Sequence, residues 1–277
     1  MNGFLILLHT RVSNGIKKNG ESFEISRGHR GIFLFQILYF QIVDLSQPVM
    51  TANFKVERRL PSAQISNFIL ELFFPRFCLG CSREGSLLCQ DCISTLEISE
   101  YNYCLCNKPL RLPASGGKCP RCQDKKLSGL YSALPYKEKF LTKKLIYQFK
   151  YEPRIKTLAK SLAHILARHL LLAKNNAETI WENSVLIPVP MEKSRQKDRG
   201  YSQTEELAKE LGHLINVPSI FDNLVKIKKT LPQMELSAKD RQENLKGAFA
   251  IKNLAKVRGK KIFLIDDVYT TGSTMEE

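Results

Sequence analysis

No stretch of this 277-residue chain is apolar for long enough to cross a bilayer. The best candidate, Ile32 to Val43, is broken by Gln36 and Gln41 and reaches about half of the ~20 residues that a spanning helix needs. No signal peptide is expected either, because Phe4 to Leu8 is too short for its hydrophobic region and no basic residue precedes it. Cysteine is absent before Cys78 and after Cys122, which excludes a disulfide framework spread over the chain. Acidic residues are scarce beside basic ones, 27 against 42, and the net charge is +15. Such a balance suits phosphate-rich partners, nucleic acid or a polyphosphate ligand, without deciding between them. With 43% hydrophobic and 25% charged residues the chain is not a disordered one, and its length allows one or two domains.

The eight cysteines are confined to 45 residues and come in close pairs. Cys78 and Cys81 form C-x2-C, Cys89 and Cys92 another, Cys104 and Cys106 the shorter C-x-C, and Cys119 and Cys122 a third C-x2-C. A C-x2-C knuckle brings two thiolates to one Zn²⁺, and two knuckles complete a tetrahedral site. Eight thiolates therefore predict two closed structural zinc sites in a reducing, cytoplasmic setting, each holding a fold too small for a core of its own. Pairing in sequence order puts Cys78, Cys81, Cys89 and Cys92 at one ion and Cys104, Cys106, Cys119 and Cys122 at the other; interleaved pairing stays open. No His or carboxylate stands in register to leave an open coordination position, so a catalytic zinc is not expected.

Beyond Lys126 the pattern becomes that of an α/β domain. Leu127 to Tyr136 reads as a strand, and Leu141, Leu145, Ile146 and Phe149 recur at helical spacing within a basic run that includes Lys150. Leu158, Leu162, Ile165, Leu166 and Leu170 mark a second helix. Val185 to Pro190 is a buried strand. A basic loop follows it, with Lys193, Arg195, Lys197 and Arg199 before Gly200, and opens into a helix from Gln203. A loop of this kind at a strand's C-terminal end is an anion site.

The last sixteen residues are the most specific. Ile262 to Ile265 reads as a buried strand, followed by Asp266, Asp267 and the turn Thr270-Thr271-Gly272-Ser273-Thr274 into a helix start. Backbone N–H groups of the turn make a nest for a phosphate, the hydroxyls add donors, and Gly272 allows close approach. A monophosphate beside two carboxylates points to a sugar phosphate whose vicinal hydroxyls donate to Asp266 and Asp267.

The stretch Ile262 to Glu277 resembles the phosphoribosyl pyrophosphate (PRPP) loop of type I phosphoribosyltransferases. With the paired cysteines, the chain resembles the ComF family of competence-associated proteins. The resemblance implies a type I phosphoribosyltransferase-like α/β domain over 127–277, a parallel sheet with helices on both faces. A small cysteine-rich double zinc ribbon over 67–126 precedes it. Residues 1–66 carry no motif and are read as a poorly ordered N-terminal extension, or as sequence upstream of a start at Met50. The family's C-terminal helix and strand have no counterpart before Glu277, so the domain is expected to be incomplete there.

The resemblance also distributes roles. Asp266, Asp267, Thr270, Thr271, Gly272, Ser273 and Thr274 are implied to bind PRPP, and Arg195, Arg199 and Gly200 to form its pyrophosphate loop. The family's RGFNQ element appears as Arg199-Gly200-Tyr201-Ser202-Gln203. Gln233, Arg241 and Asn244 fall in the hood segment, and Mg²⁺ would arrive with the diphosphate. No general base stands out in the hood, so the catalytic residues and the acceptor are unknown. Two function classes follow: a phosphoribosyltransferase serving DNA uptake, or a non-catalytic module binding single-stranded DNA, with a competence helicase as partner and Tyr101 and Tyr103 as stacking groups.

Overall fold

The computed structural model describes residues 3–11, 73–106, 110–112, 118–123, 125–135, 140–173, 181–230, 238–269 and 272–277. Contacts group residues 1–14 with 75–277 in one unit and 15–74 in a second, and the described residues fall almost wholly in the first. Its elements in chain order are strand β1 (Gly3–Arg11), helix α1 (Gln90–Ser94), β2 (Gly129–Pro135), α2 (Phe140–Lys150), α3 (Leu158–Leu172) and β3 (Ser184–Pro188). Then come α4 (Lys193–Arg199), α5 (Gln203–Ile215), β4 (Leu224–Lys226), α6 (Ala238–Leu245), β5 (Phe249–Ile251), β6 (Lys261–Tyr269) and α7 (Ser273–Glu276).

The fold is mixed α/β, built on a four-stranded sheet of order β2-β1-β6-β3. β3 and β6 pair in parallel, with Ile187 opposite Leu264. β1 runs antiparallel to both β2 and β6, placing Leu7 opposite Tyr131 on one side and Ile265 on the other. Strands β2, β6 and β3 therefore point one way and β1 the other. Residues 1–66 read as a poorly ordered extension, yet Gly3–Arg11 forms an inner strand of the sheet; the remainder of 1–66 lies outside the described residues.

Alternation along β6 assigns the two faces. Phe263 and Ile265 are fully buried in a cluster with Leu145 and Phe149 of α2, with Leu158, Leu162 and Leu166 of α3, and with Leu207 and Leu211 of α5. All five apolar positions read as the inner face of the second helix are buried there, as helical periodicity requires. Ile262 packs instead with Val185, Ile187 and Val257. On the outer side of β3, Leu186 bonds to the segment around Ser219: its N–H reaches the Pro218 carbonyl at 2.9 Å, and the Ile220 N–H reaches its own carbonyl at 2.8 Å. That edge is thereby covered.

Phe263 is central, with Trp181 and Tyr131 at ring-centroid distances of 4.8 and 6.4 Å. Phe263→Ala is expected to cost about 3–5 kcal/mol, read as a lower midpoint in urea unfolding. A loss under about 1 kcal/mol would mean that the site collapses around the cavity.

Candidate functional site

The eight cysteines gather into two tetrads in sequence order, and within each the sulfurs lie within 4.8 Å of one another. In the first, Cys78 and Cys81 sit in the tight turn closed by the Phe77–Glu84 bridge, Cys89 precedes α1, and Cys92 lies on it. Cys78 Sγ and Cys81 Sγ each stand 3.6 Å from Cys89 Sγ. In the second tetrad, Cys106 Sγ is 3.4 Å from Cys119 Sγ and 3.1 Å from Cys122 Sγ. Zn–S bonds of about 2.3 Å in a tetrahedron require sulfur separations near 3.8 Å, so both sets fit one four-coordinate ion. The one-residue-shorter third knuckle, Cys104-Leu105-Cys106, does not prevent the second set from closing.

The backbone around the sulfurs is built for thiolates. Gly80 and Cys89 donate their N–H groups to Cys78 Sγ, both at 3.4 Å, and Leu110 donates to Cys104 Sγ at 3.0 Å. Burial raises the Cys78 thiol, but N–H donors from Cys81, Cys89 and Gly80 bring it down to about 6. Gly80 has no substitute, because a Cβ there would stand 2.5 Å from Cys92 Sγ. Among the described residues these tetrads can each hold a metal ion.

The acidic pair stands inside β6 rather than beyond its end. Pairing with β1 continues through Ile6–Asp266 and Phe4–Val268 to Gly3–Tyr269, so the strand runs further than the apolar run predicts. The Asp267 N–H donates to Asp266 Oδ1 at 2.8 Å, and Lys150 Nζ lies 2.9 Å from Asp267 Oδ1. Burial, with the neighbouring Asp267 charge, pushes Asp266 up to about 8, against a smaller opposing pull from Lys150. Thr270 and Thr271 lie outside the described residues. Gly272 adopts φ 78° at the start of the single turn α7, and a Cβ there would meet the Tyr269 hydroxyl at 2.5 Å. Thr274 is half-buried in that turn, which begins at Ser273. Met275 is buried beside Tyr269, and the Glu277 carboxylate accepts the Gly247 N–H at 2.6 Å.

The basic segment after β3 is a seven-residue helix, α4, where the sequence suggested a loop; Gly200 at φ 80° ends it, its N–H on the Gln196 carbonyl at 2.9 Å. Arg195 is exposed. Arg199 donates to Gln203 Oε1 at 3.1 Å and lies over the Tyr151 ring, 5.5 Å from its centroid. Tyr201 and Gln203 are buried and donate to the Phe149 carbonyl at 2.6 and 3.3 Å, so these two members of the RGYSQ element anchor the segment to α2. Ser202 caps α5 by accepting the Glu205 N–H at 3.4 Å, and Thr204 Oγ1 donates to the Val189 carbonyl at 2.8 Å. In the hood segment, Arg241 and Asn244 share α6; Gln233 lies outside the described residues, as does the Arg241 side chain.

Lys150 is the residue whose role the sequence obscured. A basic run of this kind reads first as a solvated face and second as an anion-binding surface, whereas Lys150 is half-buried and paired with Asp267. The usable signal is its position directly after Phe149, at the margin of the inward stripe of α2. His169 is fully buried, bonds through Nδ1 to the Ser99 carbonyl at 2.6 Å, and is held neutral by burial; it packs rather than reacts. No helix among the described residues is long and apolar enough to cross a membrane.

No family model matches the chain, and no solved structure matches it. Known relatives do. Competence protein F of Haemophilus influenzae is 37% identical over 139 residues, 48% of this chain and 58% of that protein. DNA utilization protein YhgH of Salmonella typhimurium is 29% identical over 205 residues, 69% of this chain and 88% of the relative. Competence protein ComFC of Streptococcus pneumoniae is 29% identical over 197 residues, 69% of this chain and 79% of the relative. The chain is thus similar to proteins named for competence and for DNA utilization, and it carries two closed cysteine tetrads.

Proposed function

We propose that the chain binds PRPP or a related sugar phosphate and serves DNA uptake, with a structural Zn²⁺ in each cysteine tetrad. The observation that carries this reading is the meeting of the two halves of the site on one helix end. Phe149, Lys150 and Tyr151 contact Tyr201, Asp267 and Arg199 in turn. Asp266 and Asp267 would take the ribose hydroxyls, and the turn from Thr270 to Thr274 the 5-phosphate. Arg195 and Arg199, with Gly200 allowing close approach, would take the diphosphate, and Arg241 and Asn244 on α6 would close over it with Gln233. Mg²⁺, held by oxygens of the ligand, would supply charge neutralisation at the leaving group. If transfer occurs, the arginines stabilise the departing diphosphate as the ribose becomes oxocarbenium-like. The names of the relatives support the link to DNA uptake, and cysteines gathered in two metal-binding tetrads suit a reducing, cytoplasmic setting.

The test is isothermal titration with PRPP, with and without Mg²⁺. Asp266→Asn with Asp267→Asn should weaken binding by more than tenfold, since the change at Asp267 removes a charged acceptor worth about 1.5–3 kcal/mol and the change at Asp266 a second acceptor. Absence of binding by the wild-type chain would sink the reading.

A single-stranded-DNA module is the second reading, favoured by the net charge of +15 and by Tyr101, exposed beneath the Arg111 guanidinium at 4.3 Å beside the second tetrad. Tyr103, by contrast, is buried with its hydroxyl 3.0 Å from Ser99 Oγ and is part of the scaffold. A competence helicase would be the partner in that reading. Oligonucleotide affinity should then fall steeply with salt and drop on Tyr101→Ala, while the double Asp variant leaves it unchanged. Equal loss of DNA and PRPP binding in the double variant would mark the acidic pair as structural.

A further inference from the structure

The C-terminal end of α2 is fixed on both sides of Lys150. Before it, the Phe149 carbonyl accepts from Tyr201 and Gln203; after it, the Tyr151 ring lies under Arg199. The ammonium therefore reaches Asp267 from a backbone position that the site itself holds. Burial would strip a proton from a lysine here, but Asp267, and at longer range Asp266, more than offset it and keep the group charged, with Tyr151 a minor contributor. Without Lys150, the buried Asp267 would lose this ion-pair partner while Asp266 stands next to it in the strand.

We propose that Lys150 is a positioning residue for the acidic pair, fixing Asp267 so that a ribose 5-phosphate finds its hydroxyl acceptors already aimed. Lys150 takes Oδ1 of Asp267 while the Asp267 N–H donates to Oδ1 of Asp266, and the second oxygen of each is the acceptor assigned to a vicinal hydroxyl. The proposal rests on the sugar-phosphate reading. It differs from a direct anion contact in a measurable way, because a lysine acting through Asp267 affects the ribose half of the ligand and not the diphosphate half.

Isothermal titration of the full chain with ribose 5-phosphate and with inorganic pyrophosphate separates the halves. Lys150→Met should weaken ribose 5-phosphate at least tenfold and leave pyrophosphate within twofold. Lys150→Arg should restore most of the affinity, and Lys150→Met should add little to Asp267→Asn. A fall in pyrophosphate affinity as large as that for ribose 5-phosphate, or effects of the two variants that multiply, overturns the proposal. Should the wild-type chain bind neither ligand, the sugar-phosphate reading fails, and melting temperatures of the same variants then decide whether Lys150 holds Asp267. Lys150→Met should lower the melting temperature and Asp267→Asn in the same chain should recover at least half of the loss; no recovery overturns the pairing.

Discussion

Removing metal is expected to unfold the sheet along with the cysteine-rich segment. Elemental analysis should find about two zinc ions per chain, and a strong chelator should abolish helical circular dichroism and shift the emission of Trp181, the single tryptophan, to the red. The reason is that neither tetrad has a core of its own. Cys78, Leu88 and Leu96 belong to the cluster that α2, α3 and α5 build on the sheet. Tyr103, Leu105 and Cys122 pack with Leu130, Val189, Tyr269 and Met275. Structural zinc contributes an apparent 10–16 kcal/mol in isolated finger peptides, as much as the whole ~5–15 kcal/mol that stabilises an ordinary domain. Trp181 stands 4.8 Å from Phe263 in the main cluster and so reports on the sheet rather than on the tetrads. Loss of both zinc ions with Trp181 emission and helicity intact would show that the shared packing is dispensable. Cys78→Ser and Cys104→Ser separate the contributions, and each should remove about one zinc.

Asp266→Asn should make the protein more stable at alkaline pH while weakening its ligand. The Asp266 carboxyl is raised from 3.8 to about 8, first by burial and then by the adjacent Asp267 charge. Between those two values the folded chain retains a proton that the unfolded chain has released. Stability from this group is thus complete below about 3.8 and is lost as pH rises toward about 8. The slope approaches about 1.4 kcal/mol per pH unit for one proton. Asparagine keeps the shape and removes the titration, so the variant's stability should be flatter across this window and exceed that of the wild type at pH 8 and above. Urea unfolding at half-unit steps from pH 5 to 9 measures this; parallel profiles for the two proteins would mean that Asp266 is ionised throughout. On the proposed sugar-phosphate reading the same substitution would also remove an acceptor for a ribose hydroxyl, and the gain in stability and the loss of affinity would then have one cause, a carboxyl kept in a poorly solvated place.

Much of the molecule is written in local spacing. Four pairs of cysteines one or two residues apart announce metal knuckles, and the eight sulfurs gather into two tetrads in sequence order. Leu158, Leu162, Ile165, Leu166 and Leu170 announce the helix whose inner face they form. The apolar runs at Val185 and Ile262 announce β3 and β6. Ligand number, helical period and strand burial are properties of residues close along the chain, and they survive whatever the rest of the fold does.

Other features depend on partners far along the chain and have no local signature. Nothing in GFLILLHTR says that it will lie between β2 and β6, yet its pairing carries β6 past Ile265 and places the carboxylates within the strand. The basic run from Lys137 to Lys156 reads first as a solvated face. Only the packing of α2 on the sheet brings the Lys150 ammonium to Asp267, where burial makes an unpaired charge costly and the pair the favourable outcome. Tyr201 and Gln203 follow the basic segment directly and become anchors because the Phe149 carbonyl at the end of α2 needs donors. The sequence by itself determined the cysteine pairs that make two candidate metal tetrads, the core helices and the identity of the acidic and basic segments. The tertiary structure decided which charge neutralises which and which polar groups serve the scaffold, because those choices are set by what is buried together.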